Sequence, residues 1–109
     1  MNKKIKIKLL IGASKDINLE RLLSKETFNI SVNGSLDNPY EKLYGQSKLL
    51  NANIAVVEEE NDSSIKGTFY SGPKLDFCNV DNIVNRKGDK KYKGCILNVT
   101  NDYTTIKKF

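Results

Sequence analysis

The chain of 109 residues contains no histidine and no tryptophan, and it has only two cysteines, two prolines and one methionine. Without histidine, a catalytic triad built on imidazole cannot form, and a zinc site loses its commonest nitrogen ligand. The cysteines Cys78 and Cys95 lie far apart and outside any C-x-x-C motif, so we interpret both as free, buried thiols. The sequence therefore predicts no zinc and, from its residues alone, no other cofactor.

Long apolar runs are also missing, because no stretch approaches the roughly 20 residues that span a bilayer. Residues 1–8 alternate lysine with isoleucine and lack the apolar block of a signal peptide. Hydrophobic residues make up 39% of the chain and charged residues 28%, which suits a modest globular core. We therefore predict a soluble, cytoplasmic protein without membrane contact, folded as one domain over residues 1–109.

Arginine is scarce, since the net charge of +5 arises mainly from lysine, with only Arg21 and Arg86 besides. A basic balance raises nucleic acid as a partner. Arginine, however, is the residue that contacts guanine and phosphate with two hydrogen bonds, and abundant lysine, asparagine and isoleucine together are typical of an AT-rich genome. The charge therefore leaves both nucleic acid and protein open as partners.

Apolar residues recur at every second position over 5–11 and again over 28–32, which predicts two strands. Between them, residues 12–14 break the alternation, and Asp16 suits the cap of a short helix ending near Lys25. A strand followed by a helix start can hold a phosphate on backbone N–H groups, but Gly12 stands alone where nucleotide motifs need several glycines. We interpret the segment as an ordinary strand-to-helix turn.

The clearest local signal is Asn38-Pro39-Tyr40-Glu41, which combines a capping residue, a proline at the first helical position and a glutamate two residues later. It predicts a helix that ends near Asn51. One face of this helix collects the residues expected to pack on the core, namely Tyr40, Leu43, Tyr44, Ser47 and Leu50.

The second half of the chain indicates strands. Residues 54–57 and 65–70 predict a hairpin whose connection, 58–63, carries four carboxylates that we interpret as solvated, and residues 95–99 and 103–106 predict another hairpin around Asn101-Asp102. Residues 74–93 predict an irregular loop around a short segment at 80–84. The fold class is α+β: a single small, mostly antiparallel or mixed sheet with two helices, in the order β-α-β-α-β-β-loop-β-β.

The densest basic and aromatic cluster lies in the same irregular segment. Lysines on such a surface bind phosphates and a tyrosine stacks on a base, whereas the alternative is a solvated loop. The residues expected to contact nucleic acid or a partner are Lys74, Arg86, Lys87, Lys90, Lys91, Tyr92 and Lys93.

Residues 73–106 also contain Asn79-Val80-Asp81-Asn82 and, later, Asn101-Asp102. This stretch resembles the core of RusA-type Holliday-junction resolvases, small dimeric phage-associated nucleases with an Asp-x-Asp-Asn motif and a later Asp-Asp pair. The resemblance implies Mg²⁺-dependent cleavage of branched DNA by Asp81 and Asp102, with Asp76 as a further acid. Asn79 and Asn101 replace two of the family's acids, which leaves few ligands for two ions.

No catalytic set is complete in the residues themselves. The sequence therefore favours a small non-enzymatic binding or accessory protein, encoded by a phage or mobile element and acting by contact with a protein or nucleic acid. The alternative is a divergent RusA-like nuclease that uses Mg²⁺. A homodimer is compatible with both.

Overall fold

The computed structural model describes residues 9–32, 38–73, 79–85, 90–93 and 95–108, and within these ranges the chain forms one eight-stranded sheet and one α-helix. The strands are β1 (Leu10–Ala13), β2 (Leu23–Ser31), β3 (Ile54–Glu60), β4 (Ser64–Ser71), β5 (Asn79–Asn85), β6 (Lys90–Lys93), β7 (Cys95–Val99) and β8 (Thr104–Lys108). The helix α1 is Pro39–Leu50, and a 3-10 turn spans Ser14–Asp16.

The sheet is mixed, and its strands lie in the order β2-β4-β3-β1-β8-β7-β6-β5. β1 is central and pairs in parallel with both neighbours, so that Leu10 lies level with Ile54 on β3 and with Thr104 on β8. The remaining pairs are antiparallel. The prediction of an α+β fold with a mixed sheet is therefore confirmed. The predicted irregular loop over 74–93 is wrong for the described residues of that range, which form β5 and β6.

The sheet is buried on both faces around β1, as its run Leu9-Leu10-Ile11 suggests, because alternate residues of a strand point to opposite faces. On one face, Leu9 and Ile11 pack in a cluster with Leu43 of α1 and Phe69 of β4. On the other face, Leu10 packs with residues of β3, β7 and β8 and with Ile17, which follows the 3-10 turn.

Helix α1 has the predicted bounds and the predicted buried face. The Asn38 side chain accepts a hydrogen bond from the N–H of Tyr40 (3.0 Å), and Asn51 ends the helix in the left-handed conformation with φ 54°. Leu43 and Ser47 are buried, at 0% and 2% exposure. The capping signal and the helical periodicity thus agree with the tertiary contacts, and this prediction is confirmed.

The predicted helix between Asp16 and Lys25 is wrong. After the 3-10 turn the chain is extended at Ile17, and β2 already begins at Leu23. Ile17 is buried but Leu19 is 38% exposed and Leu23 is 67% exposed, so these residues do not form one buried helical face. Backbone pairing with β4, where Leu23 lies opposite Ser71, replaces the local helical preference.

The hairpin of β3 and β4 is confirmed, but its predicted acidic loop is mostly strand. β3 continues to Glu60, and the connection is only 61–63. The Asn61 side chain closes this turn by accepting hydrogen bonds from the N–H groups of Ser63 and Ser64, each at 2.9 Å. The carboxylates of residues 58–60 are therefore attached to a rigid strand at one end of the sheet.

The prediction of a free thiol is wrong at Cys95, which is fully buried and disulfide-bonded. Cys78 lies outside the described residues. Disulfides are rare in cytosolic proteins, so a cytoplasmic location stays a prediction that this bond does not support. Among the described residues, no helix is long and apolar enough to cross a membrane.

Candidate functional site

A cleft of about 300 Å³ lies where the three parallel strands end at their carboxyl sides. We call it the β1 cleft. In open sheets with parallel strands this edge is the usual place for ligands, because the chain turns away from each strand and leaves a crevice. The residues that line it are Ile11, Gly12, Ala13, Lys15, Asp16, Tyr40, Val57, Glu60, Thr105, Ile106 and Lys107.

The 3-10 turn after β1 forms one side of the β1 cleft. Ala13, at its start, is extended with φ −69° and ψ 151°, and Ile17, at its end, is extended again with φ −123°. The side chain of Ile17 enters the core on the far face of the sheet, so the turn is fixed against the end of β1. Lys15 is exposed at the tip of this turn, whereas Asp16 is not.

Asp16 is the most unusual group in the β1 cleft, because its side chain is 7% exposed. It caps no helix, and no hydrogen bond or ion pair joins its carboxylate to another group in the described ranges. Buried carboxylates in proteins are normally paired or hydrogen-bonded, since removing the charge from water is costly. A buried, unpaired carboxylate beside a cleft is a candidate binding group.

The N-terminus of α1 forms the opposite side of the β1 cleft. Asn38 positions it, since its Nδ2 group donates a hydrogen bond to the Tyr103 hydroxyl (3.2 Å) just before β8. The Tyr40 ring packs against Tyr103, with ring centroids 5.9 Å apart, and its hydroxyl lies 3.4 Å from Oε2 of Glu60. Tyr40 thus bridges from the helix to the end of β3.

Burial raises the pKa of Tyr40 above its ordinary value of 10.0, and the negative charge and hydrogen-bond contact of Glu60 raise it further. Folded protein then retains the phenolic proton where unfolded chain loses it, so stability falls as pH rises from about 10 through the raised pKa of Tyr40. In Glu60→Gln, we expect the Tyr40 pKa to fall back only in part, because burial remains. The parent protein and Glu60→Gln are each titrated by absorbance at 295 nm with and without Tyr40→Phe, and the difference isolates the Tyr40 hydroxyl. An unchanged titration midpoint of Tyr40 in Glu60→Gln would contradict the contact with Glu60.

A second depression of about 240 Å³ adjoins the β1 cleft and is lined by Ser14, Lys15 and residues 58–60, among others. Glu58 accepts a hydrogen bond from the Thr68 hydroxyl (3.1 Å), and Glu59 lies opposite Lys66. Within the described part of the chain, no group of three or more carboxylate, cysteine or histidine side chains is placed to hold a metal ion. The acidic run therefore adds negative charge to this edge of the sheet.

The predicted basic surface is only partly described. Lys74, Arg86 and Lys87 lie outside the described residues, as does Asp76. The residues at 90–93, namely Lys90, Lys91, Tyr92 and Lys93, form β6. The register places Lys91 level with Ile96 on β7, and Ile96 level with Lys107 on β8. Of these residues, Lys107 lines the β1 cleft. Contact with nucleic acid through this segment stays a prediction.

The acids that the nuclease resemblance pairs are placed at different ends of β7. Asp81 lies two residues after Asn79 on β5, and Asn79 is paired with Lys93 on β6. The neighbouring residue of β6, Tyr92, is paired with Cys95, so Asp81 lies towards the first residue of β7. Asp102 instead follows Val99, the last residue of β7. At about 3.3 Å per residue the ends of β7 are roughly 13 Å apart, and the register does not bring Asp81 and Asp102 to one site.

No protein-family model matches the chain, and neither a curated protein nor a solved structure matches it significantly. The resemblance to RusA-type resolvases therefore stays a prediction from a short motif. A fold alone does not imply an activity, so what this chain can bind depends on the side chains of the β1 cleft.

Proposed function

We propose that the chain is a small non-enzymatic binding protein whose ligand site is the β1 cleft. The observation that supports this most directly is Asp16, a buried and unpaired carboxylate beside a crevice at the carboxyl ends of parallel strands. Natural sequences rarely keep such a group unless it serves a site, because an apolar residue there would be more favourable for folding.

The remaining lining suits binding more than catalysis. Apolar side chains line the cleft from both faces of the sheet, Ile11 and Val57 on the face that α1 covers and Ile106 on the far face. The polar side chains of the lining are Lys15, Asp16, Tyr40, Glu60, Thr105 and Lys107. Ligand sites commonly combine an apolar lining with a few polar groups that fix orientation. The Tyr40 hydroxyl lies beside the Glu60 carboxylate, but its pKa is raised, so it keeps its proton and suits hydrogen bonding to a ligand better than nucleophilic attack.

The test is a screen of small polar compounds, followed by amide chemical shifts in ¹H–¹⁵N spectra. We expect the compounds that bind to shift the amides of Gly12, Ala13 and Val57, because these residues border the β1 cleft. Ala13→Leu should abolish the shifts, since the added side chain fills the crevice. Leu49→Ala is the control, as Leu49 is 88% exposed on α1 and does not line the cleft. Shifts that survive in Ala13→Leu would refute the proposed site.

A further inference from the structure

We infer that the β1 cleft binds a small primary amine, whose ammonium group is received by the Asp16 carboxylate. This inference rests on the proposed binding function and adds the chemical class of the ligand. It comes from the charge and burial of the groups around the cleft.

Asp16 sets the sign of the ligand's charge. Its side chain is 7% exposed and has no hydrogen-bonding or ionic partner in the described residues. A bound cation stabilises a carboxylate in this position more than water does, because the surrounding protein screens the attraction between the two charges less than bulk solvent would. An ammonium group, with three donors and a positive charge, supplies both the hydrogen bonds and the charge that Asp16 lacks.

The other charged groups of the cleft do not replace such a ligand. Lys15 and Lys107 are both exposed, and neither forms a salt bridge with Asp16. Their charges are solvated and therefore act weakly on the buried carboxylate. Glu60, exposed at the same rim, is screened in the same way, so the buried Asp16 sets the charge preference of the cleft.

The body of the ligand is short and apolar. The cleft volume of about 300 Å³ is at the low end for small-molecule sites. Its apolar residues, Ile11 and Val57 on the face under α1 and Ile106 on the far face, offer no hydrogen-bonding side chain, which favours a hydrocarbon segment beside them. The Tyr40 ring at the opposite side adds an aromatic surface that attracts cations.

The test compares three probes of the same length: n-butylammonium, n-butanol and butyrate, each titrated at constant ionic strength into ¹⁵N-labelled protein. We expect n-butylammonium to shift the amides of residues 12–16 and 57 in a saturable way, and butyrate to leave them unchanged. In Asp16→Asn, n-butylammonium should bind about tenfold more weakly or worse, because a charge-assisted contact is lost. Asp62→Asn is the matched control, since Asp62 is exposed in the β3–β4 turn and away from the cleft.

The outcomes separate this inference from the proposed function. If butyrate binds in the cleft, and binds the parent protein and Asp16→Asn equally strongly, the inference of an amine ligand is refuted. The proposal that the cleft is a binding site would still stand. No saturable shift with any probe, and no hit in the compound screen, would overturn both. Asp16→Asn should also unfold at the same or a higher temperature than the parent protein, whereas a lower melting temperature would assign Asp16 to the fold and contradict the inference.

Discussion

Gly67→Ala is expected to destabilise the protein by an amount at the upper end of about 1–3 kcal/mol. Gly67 lies on β4 between Val57 on β3 and Phe28 on β2. A Cβ atom at this position would overlap the backbone carbonyl oxygen of Val56 and would lie 2.6 Å from Cζ of Phe28. The carbonyl belongs to the sheet, so it cannot move away without disturbing the pairing of β3 and β4.

Gly45→Ala is the matched control for this substitution. Gly45 is exposed within α1, and a Cβ atom there meets nothing within 4 Å. Alanine favours helix over glycine by about 1 kcal/mol, so the same chemical change should stabilise the protein at this position. Urea unfolding followed by circular dichroism measures both effects, and a Gly67→Ala variant as stable as the parent would contradict the close packing of β2, β3 and β4.

Phe69→Ala is expected to have the largest effect, a loss of about 3–5 kcal/mol in the free energy of unfolding. Phe69 is completely buried in the cluster under α1, and its ring centroid lies 4.9 Å from that of Phe28 in a tilted arrangement. The substitution removes apolar contacts and leaves a cavity that the sheet cannot close. The loss is a large fraction of the roughly 5–15 kcal/mol that stabilises a typical domain.

Phe69→Leu is the milder variant, which should fold with a smaller loss in the free energy of unfolding and so gives a measurement even where Phe69→Ala does not fold. Leu49→Ala is the surface control: Leu49 is 88% exposed, and its truncation should change stability by less than about 0.5 kcal/mol. Thermal and urea unfolding of the three variants gives the ranking. A Phe69→Ala variant no less stable than Leu49→Ala would show that the core does not centre on this ring.

Elements with a complete local signal could be predicted from the sequence. Helix α1 has a cap, a proline and a consistent apolar face, and the β7–β8 hairpin has alternation on both sides of a tight turn. The segment after Asp16 has leucines at helical spacing but becomes β2, because an edge pairing with β4 is available only in the folded chain. In β5 and β6 the polar residues hide the strand pattern, so the sequence alone indicates a loop.

The candidate site could be predicted much less well. In the sequence, Asp16 suits only the cap of a helix, and that helix does not form. The β1 cleft requires β1, β3 and β8 to run in parallel, and no local pattern encodes which distant strands become neighbours. A useful signal was Leu9-Leu10-Ile11, since an uninterrupted apolar run is typical of a central strand buried on both faces and points to its carboxyl end as a site.

The pairing of β1 with β8 constrains how the chain folds during synthesis. β1 is the first of the described strands to leave the ribosome, and β8, which completes one side of it, is the last. The β3–β4 hairpin can form early from local contacts, but the central strand stays half-paired until β8 has been synthesised. Leu10 and Ile54 on the far face are covered by Leu97 and Ile106 only at that stage, so apolar surface stays exposed while the strands between them are synthesised.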